Sequence, residues 1–203
     1  MKKNKISKNW INKQRRDIYV RQSKVEGYRS RAVYKLEEIN QKFKIFHNGV
    51  SVLDLGAAPG SWTQYISKNY KNIKLASIDL KKFDEVENTF QITGDFTEDI
   101  YKQKILSFFQ GKIDIIISDM AVNTTGNKNL DSIQTSELCL DAMRFSKEVL
   151  KKNGIFVSKI FVGSTFNEII NESKKIFKKN KVFKPSASRK ESKESFIVCS
   201  MLR

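Results

Sequence analysis

Short apolar runs alternate with amphipathic segments along this chain, and the alternation predicts strands and helices in turn. Arg31–Phe43 places Ala32, Val33, Leu36, Ile39 and Phe43 on one helical stripe. Val50–Leu55 is a short apolar run that fits a strand, and Trp62, Tyr65 and Ile66 then mark the inner face of a helix starting near Gly60. Lys74–Asp79 and Phe90–Thr93 read as further strands, and Ile113–Ser118, rich in β-branched residues, as a buried one. Asp131–Leu150 reads as a long helix with Ile133, Leu138, Ala142, Phe145 and Val149 inward. Ile155–Phe161 is the next strand, Phe166–Lys179 is amphipathic and basic, and Phe196–Leu202 is a terminal strand. Strands alternating with helices predict an α/β sandwich around a mostly parallel sheet.

Composition narrows the class. A chain of 203 residues with 39% hydrophobic residues suits one domain with a real core. No apolar run approaches the roughly 20 residues of a membrane helix, and the Lys- and Asn-rich N-terminus lacks the apolar stretch of a secretory signal. Cys139 and Cys199 sit inside apolar patterns, as buried free thiols of a cytoplasmic protein do, and no Cys/His cluster has metal-ligand spacing, so no metal is expected.

Charge changes the picture more. The net charge of +16 is concentrated at the ends: residues 1–35 carry +10 and residues 171–203 carry +7, around a body of −1. That asymmetry predicts a polyanion-binding surface built from the termini. Residues 1–27 are expected to form a basic arm that is mobile until a partner orders it, and residues 28–203 one domain.

The first candidate chemistry is Asp54-Leu-Gly-Ala-Ala-Pro-Gly60, between a strand and a helix. Ligands of open α/β sheets bind beyond the carboxyl ends of the strands. Gly56 and Gly60 let the main chain turn and approach a ligand closely. The G-x-G-x-x-G of dinucleotide sites is incomplete, no Gly-Lys-Ser/Thr follows, and the turn opens with an acid. An acid suits a positive sulfonium better than a pyrophosphate, which argues for S-adenosylmethionine. Asp79, 19 residues after Gly60, can accept from both ribose hydroxyls. Asp95, in Thr-Gly-Asp-Phe, can accept from the adenine amino group with Phe96 as a ring neighbour. A helix cap or a turn is the ordinary alternative for either acid taken alone.

Methyl transfer from a sulfonium to a hydroxyl needs orientation of the hydroxyl and removal of its proton. The only histidine, His47, lies in a polar turn and reads as structural. Lys159, flanked by Ile155, Phe156, Val157, Ile160 and Phe161, is the sharper candidate. A desolvated lysine near a second cation can accept a proton, and Lys35 can be that cation. Asp119 would hold the ammonium group, and Glu194 would complete an alternating charge network. Taken singly, Lys159 also fits a snorkelling edge-strand lysine, and Asp119 an ordinary strand-end acid.

With these residues in view, the chain resembles the FtsJ-type ribosomal RNA 2′-O-methyltransferases over roughly residues 17–201. The resemblance rests on Arg29-Ser-Arg-Ala-x-Tyr-Lys-Leu-x-Glu-Ile, Asp54-Leu-Gly-Ala-Ala-Pro-Gly-x-Trp62, Gly94-Asp-Phe, Ser118-Asp-Met-Ala, the Lys159 strand and Ser188-Arg-Lys-x-Ser-Lys-Glu194. It implies a Rossmann-like class I methyltransferase sandwich with a seven-stranded sheet. It also implies a catalytic tetrad of Lys35, Asp119, Lys159 and Glu194, with Lys159 as proton acceptor. The implied cofactor contacts are Gly60, Trp62, Asp79, Asp95 and Asp119, beside Asp54 and Gly56 of the turn. The implied substrate is a uridine of 23S ribosomal RNA, modified within the 50S subunit late in its assembly. The chain departs from the family at Val122-Asn123, where Pro-Asn is usual, and at Ser61, where glycine is frequent.

Arg29, Arg31, Arg189, Lys190 and Lys193 flank Lys35 and Glu194 in sequence, so they are the candidate RNA contacts. A monomer with no obligate protein partner and no membrane association is expected. A transfer-RNA or cap ribose methyltransferase would share the tetrad, and a ribosome-assembly factor that binds RNA without catalysis is the non-enzymatic alternative.

Overall fold

The computed structural model describes residues 17–122 and 128–203. Helices α1 (Ile18–Val25) and α2 (Val33–Phe43) lead into strand β1 (Ser51–Leu55). Then come α3 (Ser61–Asn69), β2 (Lys74–Asp79), β3 (Thr89–Thr93), α4 (Asp99–Phe109) and β4 (Ile113–Ser118). The chain ends with α5 (Lys128–Val149), β5 (Leu150–Phe161), α6 (Phe166–Ile176), β6 (Phe177–Phe183) and β7 (Glu194–Leu202).

The strands form one seven-stranded sheet of order β3-β2-β1-β4-β5-β7-β6. Pairing is parallel from β3 across to β5, and β7 runs antiparallel to both β5 and β6. The sheet is therefore mixed, with one reversed strand, and mostly parallel as the alternation predicts. The chain winds outward from β1 to β2 and β3, then returns to β4 on the other side of β1. This reversal opens a crevice between the carboxyl ends of β1 and β4, the place where α/β sheets hold ligands.

Alternate residues of each strand feed two cores. Val52, Leu75, Ile115, Ile117, Val157 and Phe196 pack against α2 and α3, whereas Leu53, Leu55, Ile78, Ile116, Phe156 and Ile197 pack against α4, α5 and α6. Helices thus cover both faces. Among the described residues no helix is long and apolar enough to cross a membrane.

Several elements differ from the pattern's prediction. Helix α4 is unannounced by the strand-centred pattern, although Ile105 and Phe109 bury one face of it. The basic helix stops at Ile176 and not Lys179, because Phe177 turns extended and stacks on Phe156 at 5.9 Å, opening β6. In α5, Ile133 is 39% exposed, and Thr135 and Ser136 are the buried residues of that turn. Ser136 Oγ meets Thr165 Oγ1 at 2.6 Å, so a polar staple replaces the expected apolar contact. Within the segment expected to be an arm, α1 is capped by Asp17, which accepts from Tyr19 N at 3.1 Å, and Tyr19 packs on Tyr34 with centroids 5.3 Å apart. Residues 1–16 of that arm and Asn123 lie outside the described residues.

Candidate active site

Strand β4 ends at Ser118, so Asp119 projects from the carboxyl edge of the sheet beside β1. Lys159 comes from β5, where Ser158 pairs with Ser118, and Glu194 opens β7, paired with Phe161. Lys35 descends from the first turns of α2. Four distant segments meet in one chain of charges. Lys159 Nζ lies 3.1 Å from Asp119 Oδ1, Lys35 Nζ lies 3.4 Å from Asp119 Oδ2, and Lys35 Nζ lies 2.8 Å from Glu194 Oε2. Lys159 also donates to the main-chain carbonyl of Asp119 at 2.5 Å. Its approach to Oδ1 is close but off the hydrogen-bonding direction, and that buried oxygen has no aligned donor. The carboxylate is thus held by charge on one side and left open to a further donor.

Lys159 is only 6% exposed, a burial that lysine tolerates when paired. Burial opposes ionisation of Asp119, but Lys159 and Lys35 outweigh it and hold the carboxyl below the usual range. Burial likewise opposes the Lys35 ammonium, but Asp119 and Glu194 outweigh it and raise its pKa.

Ser188 and Glu38, which the sequence shows only as members of the quoted motifs, complete this network. Ser188 Oγ donates to Glu194 Oε1 at 2.7 Å, and Glu38 accepts from Ser186 N at 2.5 Å and Ala187 N at 2.8 Å. A carboxylate on α2 therefore fixes the loop that orients Glu194. Glu38 lies one turn beyond Lys35 and is the glutamate of the quoted Arg29–Ile39 motif, which by itself shows no role for it.

The glycine turn sits at the end of β1. Gly56 and Gly60 have φ of 70° and 96°, the left-handed region that glycine alone enters freely. A Cβ at Gly56 would run into Met120, next to Asp119, and one at Gly60 would lie 2.5 Å from Arg29 Nη1. Asp79 accepts from Ala58 N at 2.9 Å and Lys81 N at 2.8 Å. Two backbone donors aim this carboxylate at the crevice while leaving it lone pairs for hydroxyls. Ser61, one of the two departures, donates to Ser30 Oγ at 2.8 Å and so ties the turn to the segment before α2. These features suit S-adenosylmethionine: a close main-chain cradle and an acid at the ribose position.

Asp54 lies beneath the turn, 1% exposed, and accepts from Thr63 Oγ1 at 2.7 Å. Burial pushes its carboxyl up to about 7. The folded state then keeps a proton that the unfolded state has lost above its ordinary value of 3.8. Stability is therefore expected to fall as pH rises from about 4 to about 7, by up to ~1.4 kcal/mol per pH unit from this one group. Asp54→Asn is expected to flatten that decline, and urea unfolding midpoints between pH 5 and pH 8 would check it. A wild-type midpoint that stays constant over that range would show that the carboxyl is not protonated.

Other expected contacts resolve differently. The Trp62 ring is 4% exposed, donates from Nε1 to Ala32 O at 2.7 Å and packs on Phe196, which gives it a core role. Asp95 Oδ1 accepts from Thr97 N at 2.9 Å and Thr97 Oγ1 at 2.7 Å, an Asx turn. Phe96 is buried edge-on against Phe145, not presented as a ring neighbour.

The basic candidates divide. Lys190 and Lys193 are exposed. Arg31 pairs with Asp17, donates to Ala187 O and lies over the Tyr19 ring, and burial followed by the charge of Arg189 lowers its pKa. Arg189 Nε is 3.6 Å from the same Asp17 oxygen. Arg29 gives three of its five guanidinium donors to main-chain carbonyls. Both cysteines are free and buried, and burial pushes the Cys139 thiol up to about 12, which leaves it inert as a nucleophile. His47 Nδ1 lies 3.1 Å from Asn48 O, within its own turn. Among the described residues no group of three or more His, Cys, Asp or Glu is placed to hold a metal.

A switch-point crevice with a glycine cradle, a ribose-placed acid and a buried lysine–carboxylate chain defines a nucleoside-cofactor methyltransferase. The family model for FtsJ-like methyltransferases matches residues 28–201, and the chain belongs to that family. It is 65% identical to ribosomal RNA large subunit methyltransferase E of Pelagibacter ubique over the full length of both chains. It is 46% identical to the protein of the same name from Rickettsia akari, over 95% of this chain and 87% of that one. Among solved structures, a Plasmodium falciparum chain described as a ribosomal RNA methyltransferase superposes with a TM-score of 0.77 at 34% identity, covering 86% of this chain and 98% of that one. Human methyltransferase-like protein 13 in complex with SAH, at 12% identity and a TM-score of 0.55 over 84% of this chain and 79% of that one, shares the fold.

Proposed function

We propose that this chain transfers a methyl group from S-adenosylmethionine to the 2′-hydroxyl of a uridine ribose in 23S ribosomal RNA, acting in the cytoplasm on the large subunit late in its assembly. The observation that carries the reading is the Lys159–Asp119–Lys35–Glu194 chain at the switch-point edge, beside the glycine cradle. The relatives named ribosomal RNA large subunit methyltransferase E support the substrate class. Residues 28–203 act as a single methyltransferase domain and a monomer, with residues 1–27 as a basic accessory arm.

S-adenosylmethionine supplies an activated methyl group when bound. Asp79 would hold its ribose, the main chain at Gly56 and Gly60 would pass beside it, and Asp95 would meet its base from the Asx turn. Trp62 would contribute through its backbone, since its ring is in the core. The chain's own residues then act on the acceptor. Lys159 takes the proton of the ribose hydroxyl, while Asp119 fixes its amine and stabilises the positive charge that develops there. Lys35 and Glu194, steadied by Ser188, close the network on the far side and orient the ribose. No metal is required for this chemistry.

The test is transfer of labelled methyl to unmodified 50S subunits, free 23S RNA and transfer RNA, with nuclease digestion to locate the label. Ribose label in 50S particles is the expected result. Label confined to transfer RNA would move the substrate and overturn this assignment, and tight RNA binding without transfer would favour an assembly factor.

Exposed Lys190 and Lys193 stand next to Glu194, so they are assigned to phosphates of the RNA. Lys190→Gln with Lys193→Gln is expected to weaken RNA binding at all sequences and to make the slope of log affinity against log salt shallower by about 1.4, at about 0.7 per phosphate contact. A salt titration of RNA affinity reads this directly, and an unchanged slope would remove both residues from the interface.

A further inference from the structure

Arg29 belongs by sequence to a basic motif, and its charge suggests a phosphate contact. Its position in the fold says otherwise. The guanidinium donates from Nη1 to Pro59 O at 3.0 Å and Asp84 O at 2.7 Å, and from Nη2 to Glu85 O at 2.7 Å. Its own backbone N–H donates to Gln64 Oε1 at 3.2 Å, and Gln64 Nε2 donates back to Gly27 O at 2.9 Å. Pro59 lies in the glycine turn after β1, and Asp84 and Glu85 lie in the loop after β2, five and six residues past Asp79. These two loops frame the crevice where a nucleoside cofactor binds. Arg29 itself lies six residues before Lys35, in the segment that leads into α2, so one planar fork ties both cofactor loops to the segment that delivers a tetrad lysine. Gly60 makes this possible: a Cβ there would come within 2.5 Å of Arg29 Nη1 and 2.9 Å of the Phe83 ring.

We infer that Arg29 is a positioning residue for cofactor affinity and not a reader of RNA. The inference rests on the cofactor site proposed above. With three of its five N–H donors held on carbonyls, the guanidinium cannot turn toward a phosphate without releasing both loops at once. Lysine cannot reproduce the fork, since its single ammonium cannot span carbonyls from two loops with the same directions.

The test uses the full chain with Arg29→Ala and Arg29→Lys, beside Asp79→Asn as the control for the site. Calorimetric titration with S-adenosylhomocysteine gives cofactor affinity, and RNA binding across a salt series gives the RNA term separately. Both Arg29 variants are expected to bind the cofactor product about tenfold more weakly, with RNA affinity and salt slope unchanged. Retention of charge in Arg29→Lys without recovery of cofactor affinity would identify geometry as the cause, and this variant also serves if Arg29→Ala fails to fold. Normal cofactor affinity with an RNA salt slope shallower by about 0.7 would overturn the inference and return Arg29 to the RNA surface. No change in either quantity would also overturn it, leaving a clamp that acts on stability alone. If Asp79→Asn binds cofactor product as tightly as wild type, the cofactor site itself is misassigned, a failure distinct from that of Arg29.

Discussion

Lys159→Ala is expected to lower the rate of ribose methylation by roughly 10²–10⁴-fold, the range that a positioned general base contributes. The donor needs no activation, so loss of the proton acceptor falls on the chemical step. Lys159 is nearly inaccessible, with its ammonium 3.1 Å from Asp119 Oδ1 and donating to the Asp119 carbonyl at 2.5 Å. It has no surface role to lose. Cofactor affinity and RNA affinity are expected to stay close to wild type, because neither the glycine cradle nor the exposed lysines depend on it. Single-turnover transfer to unmodified 50S subunits separates the step from binding. Full methylation by the variant would remove Lys159 from the mechanism. A loss confined to KM would make it a binding residue.

How much of this was legible follows from the physics of each signal. Strands β1, β2, β4 and the Ile155–Phe161 part of β5 announce themselves because a parallel sheet buried on both faces demands runs that are mostly apolar. Asp54, Asp79 and Asp119 stand at the ends of such runs, so their convergence on one edge could be read before any geometry. Helix α4 and strand β6 were harder: the apolar residues of β6 are diluted by Lys178, Lys179 and Lys181, the usual dress of an edge strand, and they extend the helical pattern before them. Side-chain partnerships were harder still. Charge marks Arg29 and Arg31 as polyanion contacts, but sequence does not show that carbonyls of two loops occupy the first and that Asp17 occupies the second. The same limit hid the role of Ser188, which exists only because the loop before β7 folds back on Glu38 of α2.

Asp119→Ala is expected to abolish activity and to destabilise the fold by about 3 kcal/mol, the lower end of the cost of breaking a buried pair, since the side chain retains 19% exposure. The two lysines do not suffer equally. Lys35 keeps Glu194 at 2.8 Å, whereas Lys159 keeps only a main-chain carbonyl. Most of the penalty therefore falls on Lys159, and Lys159→Met added to Asp119→Ala is expected to recover a large part of it. That non-additivity is readable from urea unfolding midpoints of the two single variants and the double one. The pH dependence gives a second check. The folded-state carboxyl of Asp119 is held below its ordinary value, so its contribution is present above that value and lost as pH falls through the depressed one. Asp54, raised to about 7, acts in the opposite direction at higher pH. In acid the stability gap between wild type and Asp119→Ala should therefore narrow, while the Asp54 decline between pH 4 and pH 7 should persist in both. A gap that stays constant into acid would mean that Asp119 positions the lysines without contributing charge to the stability of the fold.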